Sequence, residues 1–538
     1  MTKKRSFCIL LTIIAWGLMY YYYLPPMNIH SQEMWSFFVG LIVVGLVINF
    51  ASIVNAIFIQ KDTEERNRVF QKTKKYLVFP AFAILLYVGG ILLSSPILRA
   101  SSYRELLVVE TGDFSTNIHE VDYNQIPILD ADSAARLAER EMGSLVDMVS
   151  QFEVSRYYSQ INFEGKPVRV TPLQYGDAIK WLMNRNEGIP GYMKIDMTTQ
   201  DAELVKLTDG DQIKYSPFEY FGRNLYRHIR FNYPTAMIRT MDFEVDEDGR
   251  PYWVCSVETK TIGLFGGTDI IGIVLVDAIT GEHTYHDITD VPTWIDQVYD
   301  ANLLIEQYNY YGMLKNGFIN SVIGQREVLQ STEGYNYIAL DDDVWVYTGV
   351  TSVGSDQSNV GFVLMNARTK ETNYYQISGA KEISAMSSAE GQVQNLQYVA
   401  TFPILLNIAD EPTYFLSLKD GAGLVKKYAM VNIQRYQIVA IGDTVQECET
   451  AYRQLMTGNG ISLTNEEDLA IAEGLIESIQ NIVIDGNTLY YIGLENEKGL
   501  FGVPVKDNLE ILLYGIEDEI AFEYVENENG IHTVLGIQ

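Results

Sequence analysis

The sequence predicts an α+β protein in which three N-terminal transmembrane helices precede an exported portion of repeated modules, each a helix followed by three antiparallel strands (αβββ). Three observations carry this. Long apolar runs are confined to the first 98 residues, cations are shared unequally among the segments flanking them, and a strand, tight turn, strand pattern recurs beyond them.

The apolar runs are Phe7–Leu24, Met34–Ile59 and Tyr76–Leu98. At about 1.5 Å per residue each is long enough to cross a hydrocarbon core of about 30 Å. The first follows Lys3-Lys4-Arg5, as in a signal peptide, yet no small-x-small cleavage site comes after it. Instead come Tyr20 to Tyr23, suited to a lipid–water interface, and Pro25-Pro26, which end a helix, so the segment is expected to be retained. Residues 1–6 carry three cations and the 60–75 segment six, whereas the 25–33 connection carries none. The positive-inside rule then puts the N-terminus of a multi-pass cell-membrane protein in the cytoplasm and everything after about residue 98 outside it.

Charge separates the same two regions. The chain holds 39 Lys+Arg and 69 Asp+Glu, a net charge of -30, but residues 1–96 hold nine basic and four acidic residues, leaving about -35 on the remainder. Such a surface repels nucleic-acid phosphates and opposes non-specific binding to anionic lipid, so no nucleic-acid partner is expected. Three cysteines are too few for a disulfide framework. Cys8 lies in the first apolar run; Cys255 and Cys448, far apart in sequence, are either buried small hydrophobes or a single bridge.

Helical patterns cover Asp132–Ser150, Pro172–Asn184, Pro217–Arg230, Val291–Tyr311, Thr444–Met456 and Asn465–Gln480. Start signals include Asp132 or Ser133 as N-cap, Pro172 and Pro217 at the first helical position behind Thr171 and Ser216, and Thr444 with Glu447 as a capping box. Between the helices, hairpins turn after Asp196, Asp277 and Asn366, with looser copies at Asn432 and at Lys506-Asp507. Asp or Asn at the turn start can bond the backbone two residues on, and Gly281 or Lys370 can take the left-handed position. Intervals of 81, 89 and 66 residues between the first four make the repeat irregular. Aromatic strands at Tyr252–Val257, Val344–Gly349, Thr413–Leu418 and Leu489–Leu494 precede the hairpins. The expected division is a membrane anchor over 1–98 and α+β modules over 99–215, 216–290, 291–380, 381–443 and 444–538.

No catalytic constellation emerges. His283-x-x-His286, beside Asp277, Glu282, Asp287 and Asp290, is the best metal candidate, but residues i and i+3 of a strand face opposite ways. Asp341–Asp343 and Glu466–Asp468 lack the spacing of a calcium loop. Gly263-Leu-Phe-Gly266-Gly267 leads to no GK[ST] and no helix, so it is expected to be a mobile loop. Ser378 has no nucleophile elbow around it. No catalytic, cofactor-binding or metal residue is therefore assigned, and no cofactor is expected. Arg223, Arg227 and Arg230, on one helical face among Tyr220, Phe221 and Tyr226, form the only basic cluster of the acidic portion. They either pair with surrounding carboxylates or form an interaction surface for an acidic partner or envelope polymer.

A helix and three strands closed by Leu275–Glu282 (LVDAITGE), with Asp132–Gly143 (DSAARLAEREMG) as an opening helix, resembles the PepSY domain of bacterial exported and membrane proteins. The composite of anchor and acidic repeats resembles Gram-positive envelope proteins. The resemblance implies modules that restrain peptidases, sense ligands or build envelope structure, and it implies no catalytic residues. The expected function is a non-enzymatic, membrane-anchored extracytoplasmic protein that binds or scaffolds envelope components through a protein or envelope-polymer partner. The alternatives are a PepSY-type regulator or inhibitor of an exported peptidase, a ligand sensor, and a divergent metal-dependent hydrolase.

Overall fold

The computed structural model describes residues 3–54, 82–120, 125–208, 210–340, 343–353, 358–459, 469–484, 487–495, 497–505, 508–525 and 530–537. The chain forms two compact units, one of Met1–Glu110, Ala131–Asp356 and Phe362–Tyr374, the other of Thr111–Asp130, Gln357–Gly361 and Tyr375–Gln538.

In the first unit, α1 (Lys3–Tyr23) and α2 (Gln32–Val54) lie side by side, with Trp16 Nε1 donating to Leu41 O at 2.8 Å. Two further helices, α3 (Phe82–Leu93) and α4 (Pro96–Arg104), are bent by 51° at their junction. Pro96 cannot continue the hydrogen-bond ladder of α3, and Ser95 caps α4 by accepting from Ile97 N at 3.2 Å.

These helices correct the expected architecture of an α+β chain behind three transmembrane helices. The protein is mixed α/β, with about 37% strand against 32% helix among the described residues and several curled sheets, and no single described helix is long and apolar enough to cross a membrane. Among the described residues the apolar helical stretches are Ile9–Tyr23 of α1 and Gln32–Gly45 of α2, each shorter than the about 20 residues a span requires, and the third run breaks at Ser94-Ser95-Pro96. Residues 55–81, with the 60–75 cations, lie outside the described residues.

Three antiparallel sheets complete the first unit. Sheet A follows α5 (Ala131–Ser144) and contains β1 (Phe152–Val154), β2 (Ser159–Phe163), β3 (Lys166–Tyr175), β4 (Gly191–Asp196) and β5 (Ala202–Lys206), with α6 (Ala178–Asn184) between β3 and β4. Sheet B follows α7 (Leu225–Asn232) and runs in sequential order through β6 (Met237–Val245), β7 (Pro251–Ile262), β8 (Gly266–Asp277) and β9 (His283–Asp287). Sheet C follows α8 (Ala301–Met313) and contains β10 (Leu329–Ser331), β11 (Asn336–Leu340), β12 (Asp343–Ser352), β13 (Gly361–Asn366) and β14 (Thr372–Tyr375). In the second unit, sheet D follows α9 (Glu382–Gln392) with β15 (Val399–Ala400), β16 (Ile404–Ile408), β17 (Glu411–Lys419), β18 (Val425–Asn432) and β19 (Val439–Gly442).

One turn is built almost identically in these sheets. Oδ1 of Asp196, Asp277, Asn366 and Asn432 accepts from the backbone N–H two and three residues on, at 2.8–3.1 Å. The residue after each donates its N–H to a carbonyl at the start of the neighbouring long strand, at its first residue in sheet B and its second in A, C and D: Met197 to Pro167, Ala278 to Pro251, Ala367 to Val344 and Ile433 to Pro412. The fourth residue on is left-handed in A, B and C, as Gln200 (φ 66), Gly281 (φ 78) and Lys370 (φ 68).

Several helix limits differ from the sequence pattern. Pro172 lies inside β3, so α6 starts only after Asp177, which caps it. Pro217 is outside α7, whose cap is Asn224, and Val291 precedes α8, whose cap is Asp300. Thr444 does cap α10 (Val445–Gly458), accepting from Glu447 N at 3.1 Å.

The largest difference is the C-terminal region. The described part of the expected helix Asn465–Gln480 is strand: β20 (Leu469–Ile484) joins β21 (Asn487–Leu494), β22 (Leu500–Pro504), β23 (Glu519–Val525) and β24 (Ile531–Ile537) in a closed barrel. Its order, β20-β21-β22-β24-β23 with β22 and β24 parallel, closes the strands on one another rather than adding a further hairpin module. Ala472 and Ile476 point into its core. They are four residues apart, a spacing that shares a face in a helix and in a strand alike, which is why periodicity misassigned them.

Candidate functional site

The first unit concentrates unusual features where the N-terminal helices meet sheet B. Asn224 Oδ1 accepts from Arg227 N at 3.2 Å and starts α7, which presents Tyr226, Arg227 and Arg230 toward the end of α1. Arg230 is 2% exposed, and its Nε donates to Leu24 O at 2.9 Å while Nη1 donates to Ala236 O at 2.5 Å. Tyr226 OH donates to the same Leu24 carbonyl at 3.1 Å. Leu24 follows the last turn of α1, so a buried guanidinium sits where helix carbonyls lack partners and the dipole is negative.

The 24–31 connection then runs along one end of sheet B, at the approach to β6 and the β7–β8 turn. Met27 N donates to Pro234 O at 2.8 Å, Asn28 Nδ2 to Thr235 O at 3.1 Å, and His30 Nδ1 lies 2.9 Å from Leu264 O. The end of α3 arrives at the same turn: Ser94 Oγ accepts from Leu264 N at 2.8 Å and Phe265 N at 3.0 Å, and Tyr103 OH donates to Ser94 O at 2.6 Å. A Cβ at Gly90 would stand 2.7 Å from the Leu264 side chain, and one at Gly263 would stand 2.5 Å from Ser94 Oγ. The Gly263–Gly267 segment, expected to be a mobile loop, is thus the β7–β8 turn onto which α3 packs.

Arg227 and Arg230 lie on α7 and Arg223 in the short turn before it, so the three do not share the one helical face expected of them. Arg230 is internal. Arg227 Nη1 donates to Phe221 O at 3.1 Å and its guanidinium lies 4.3 Å from the centre of the Tyr21 ring; Arg223 Nη1 donates to Arg185 O at 2.5 Å. Backbone carbonyls and aromatic rings hold these cations. Beside them stand α6 and the Tyr220-Phe221 segment, with Ile179, Leu182, Met183 and Phe221 between 55% and 72% exposed.

His283 and His286 lie on opposite faces of β9, as the strand period requires. His283 Nδ1 is 3.0 Å from Tyr233 OH, and His228 Nε2 is 2.8 Å from Gly281 O. Burial holds the His228 imidazole below its usual value, and the adjacent His283 adds to the effect. Among the described residues no group of three or more His, Cys, Asp or Glu is arranged to hold a metal ion. Asp343 is engaged by Arg368 and Asn366; Asp341, Asp342 and Glu466–Asp468 lie outside the described residues. Cys255 and Cys448 are free and buried.

A second feature escaped the sequence. Glu244 in β6 is fully buried and accepts from Asp296 N at 3.0 Å and Gln297 N at 2.9 Å, while Asp296 Oδ2 accepts from Asn162 N at 2.7 Å. Burial drives Glu244 well above the usual carboxylate range, with repulsion from Asp296 adding to it. Burial likewise pushes Asp242 up to about 6, against a hydrogen bond from Thr240. Glu244 and Asp296 join sheets A and B to the approach to α8. No known protein family's sequence profile matches this chain, and no curated protein is detectably similar to it in sequence.

Proposed function

We propose that this chain is a membrane-attached extracytoplasmic protein that binds or scaffolds envelope components and catalyses no reaction itself. One observation carries the membrane attachment: Phe7, Leu10, Ile13 and Leu18 of α1 and Leu85, Leu92 and Leu93 of α3 are at least 56% exposed. So large an apolar surface in contact with water would drive aggregation, and a lipid phase is the medium that removes the cost. The cation-free 24–31 connection and the end of α3 both meet sheet B, whereas Lys3, Lys4 and Arg5 lie at the opposite end of α1. The positive-inside rule therefore supports sheet B facing away from the cytoplasm.

The repeated turn-and-helix sheets supply binding surface rather than chemistry, and they are also the feature behind the second reading, a PepSY-type regulator of an exported peptidase. Protease added to intact, wall-stripped cells should digest sheets A to D while the chain stays with the membrane through an alkaline carbonate wash. Release by carbonate, or full protection of the sheets, would defeat the proposal. Recovery of a peptidase with the detergent-solubilised chain would move the protein to the regulatory reading.

A further inference from the structure

We infer that α6 and the Tyr220-Phe221 segment form a second lipid contact, an interfacial patch that lies in the membrane's headgroup layer beside the end of α1. The inference rests on the membrane attachment proposed above and adds a site to it.

The patch is built, not frayed. Asp177 caps α6 by accepting from Ile179 N at 2.7 Å and Lys180 N at 2.8 Å, and Trp181 Nε1 donates to Glu219 Oε2 at 2.7 Å. Glu219 is itself 3% exposed and accepts from Tyr175 OH at 2.6 Å, so the helix is pinned to the body of the unit. That fixed helix nevertheless turns Ile179 (68% exposed), Leu182 (55%) and Met183 (72%) outward. Phe221 is 62% exposed with φ at 55°, a left-handed backbone that a bulky aromatic residue adopts only under constraint. The constraint is visible: Arg227 binds the Phe221 carbonyl, and the Trp181 ring stands 4.5 Å from Tyr220 and 6.1 Å from Phe221.

Two observations identify the occupant. The patch is continuous with the end of α1, because Arg227 touches both Phe221 O and the Tyr21 ring. The cations at its border, Lys180, Arg185, Arg223 and Arg227, contrast with a portion that carries about -35 overall. Aromatic rings, aliphatic side chains and guanidinium groups together match the headgroup–acyl boundary, where the rings sit among glycerol and carbonyl groups and the cations meet phosphate. The acidic remainder confines the contact to this patch.

The test uses the full chain with Cys8→Ser, carrying an environment-sensitive fluorophore at Met183→Cys or, in separate preparations, at Leu182→Cys or Leu18→Cys. Native Cys255 and Cys448 are buried and should stay unlabelled. In vesicles of phosphatidylcholine and phosphatidylglycerol, the labels at 182 and 183 should each lose roughly half their emission to a nitroxide at the headgroup–acyl boundary, where an interfacial segment sits about 5–10 Å deep. They should also resist aqueous iodide. If nitroxide quenches the label at 18 while iodide alone quenches those at 182 and 183, the patch faces water or protein and the inference falls, with membrane attachment intact. If iodide alone reaches the label at 18 as well, the attachment itself fails.

Discussion

Sheets B and C use one turn and treat its fourth position in opposite ways. After Asp277 that residue is Gly281, and after Asn366 it is Lys370; both are left-handed, and both donate their N–H back to the turn-starting residue, at 2.9 and 3.0 Å. The local sequence accounts for this shared backbone. The difference comes from neighbours. A Cβ at Gly281 would lie 2.3 Å from the Tyr215 ring, so no other residue fits. Lys370 has room, and its Nζ reaches Asp269 of sheet B at 2.8 Å. The charge pairing is exchanged as well: Arg250 at the start of β7 binds Asp277, whereas Asp343 at the start of β12 binds Arg368. A turn pattern therefore fixes its geometry, while the surroundings select the side chains.

The largest expected effect is at Gly281. Gly281→Ala combines left-handed strain with a ring clash and should cost about 3 kcal/mol. Thermal melts of the detergent-solubilised chain check this, and an unchanged midpoint would mean that Tyr215 does not constrain the turn. Asp277→Ala and Asn366→Ala each remove two hydrogen bonds to backbone N–H and one polar partner, for an expected loss of about 2 kcal/mol apiece. A loss confined to one sheet would break the equivalence of the turns.

A third asymmetry is pH. Sheet B carries Asp242 and Glu244 on its first strand, whereas β11 of sheet C carries no acid. Asp242 has an ordinary value near 3.9 when unfolded and about 6 when folded, so the folded chain holds the extra proton between those values. The contribution of Asp242 to stability is full below about pH 4 and is lost as pH rises through about 6. Relative to Asp242→Asn, the wild-type chain should therefore weaken from pH 4.5 to 7; urea titrations showing the reverse trend would refute the assignment. The smallest effect is at Lys370→Gly, where relief of the left-handed backbone offsets loss of the Asp269 pair, leaving a change within about 0.5 kcal/mol.

The candidate surface was half legible. Arg223, Arg227 and Arg230 stand out as cations in an acidic background, but α7 carries only Arg227 and Arg230, while Arg223 lies in the turn before it. Their partners do not stand out, because Leu24 O, Arg185 O and Phe221 O are backbone groups with no signature in side-chain chemistry. Ser94 and Gly90 left only a Gly-Gly and a Ser-Ser-Pro break at the end of an apolar run, and the turn they meet lies about 170 residues away. Buried Glu244 has no local signature, since the two N–H groups it binds come from a segment about 50 residues later.

By itself the sequence determined what depends on near neighbours. The turns at Asp196, Asp277, Asn366 and Asn432 are set by side chains bonding backbone two and three residues on, and Thr444 starts its helix in the same way. Tertiary structure decided whatever satisfies two periodicities or needs a remote partner. Ala472 and Ile476 suit a helix and a strand equally, and closure of the barrel through Phe501, Phe522 and Val534 makes them strand. The burial of Arg230 was likewise decided in part at long range, because the end of α1 supplies the Leu24 carbonyl that, with the nearby Ala236 carbonyl, makes an internal guanidinium tolerable.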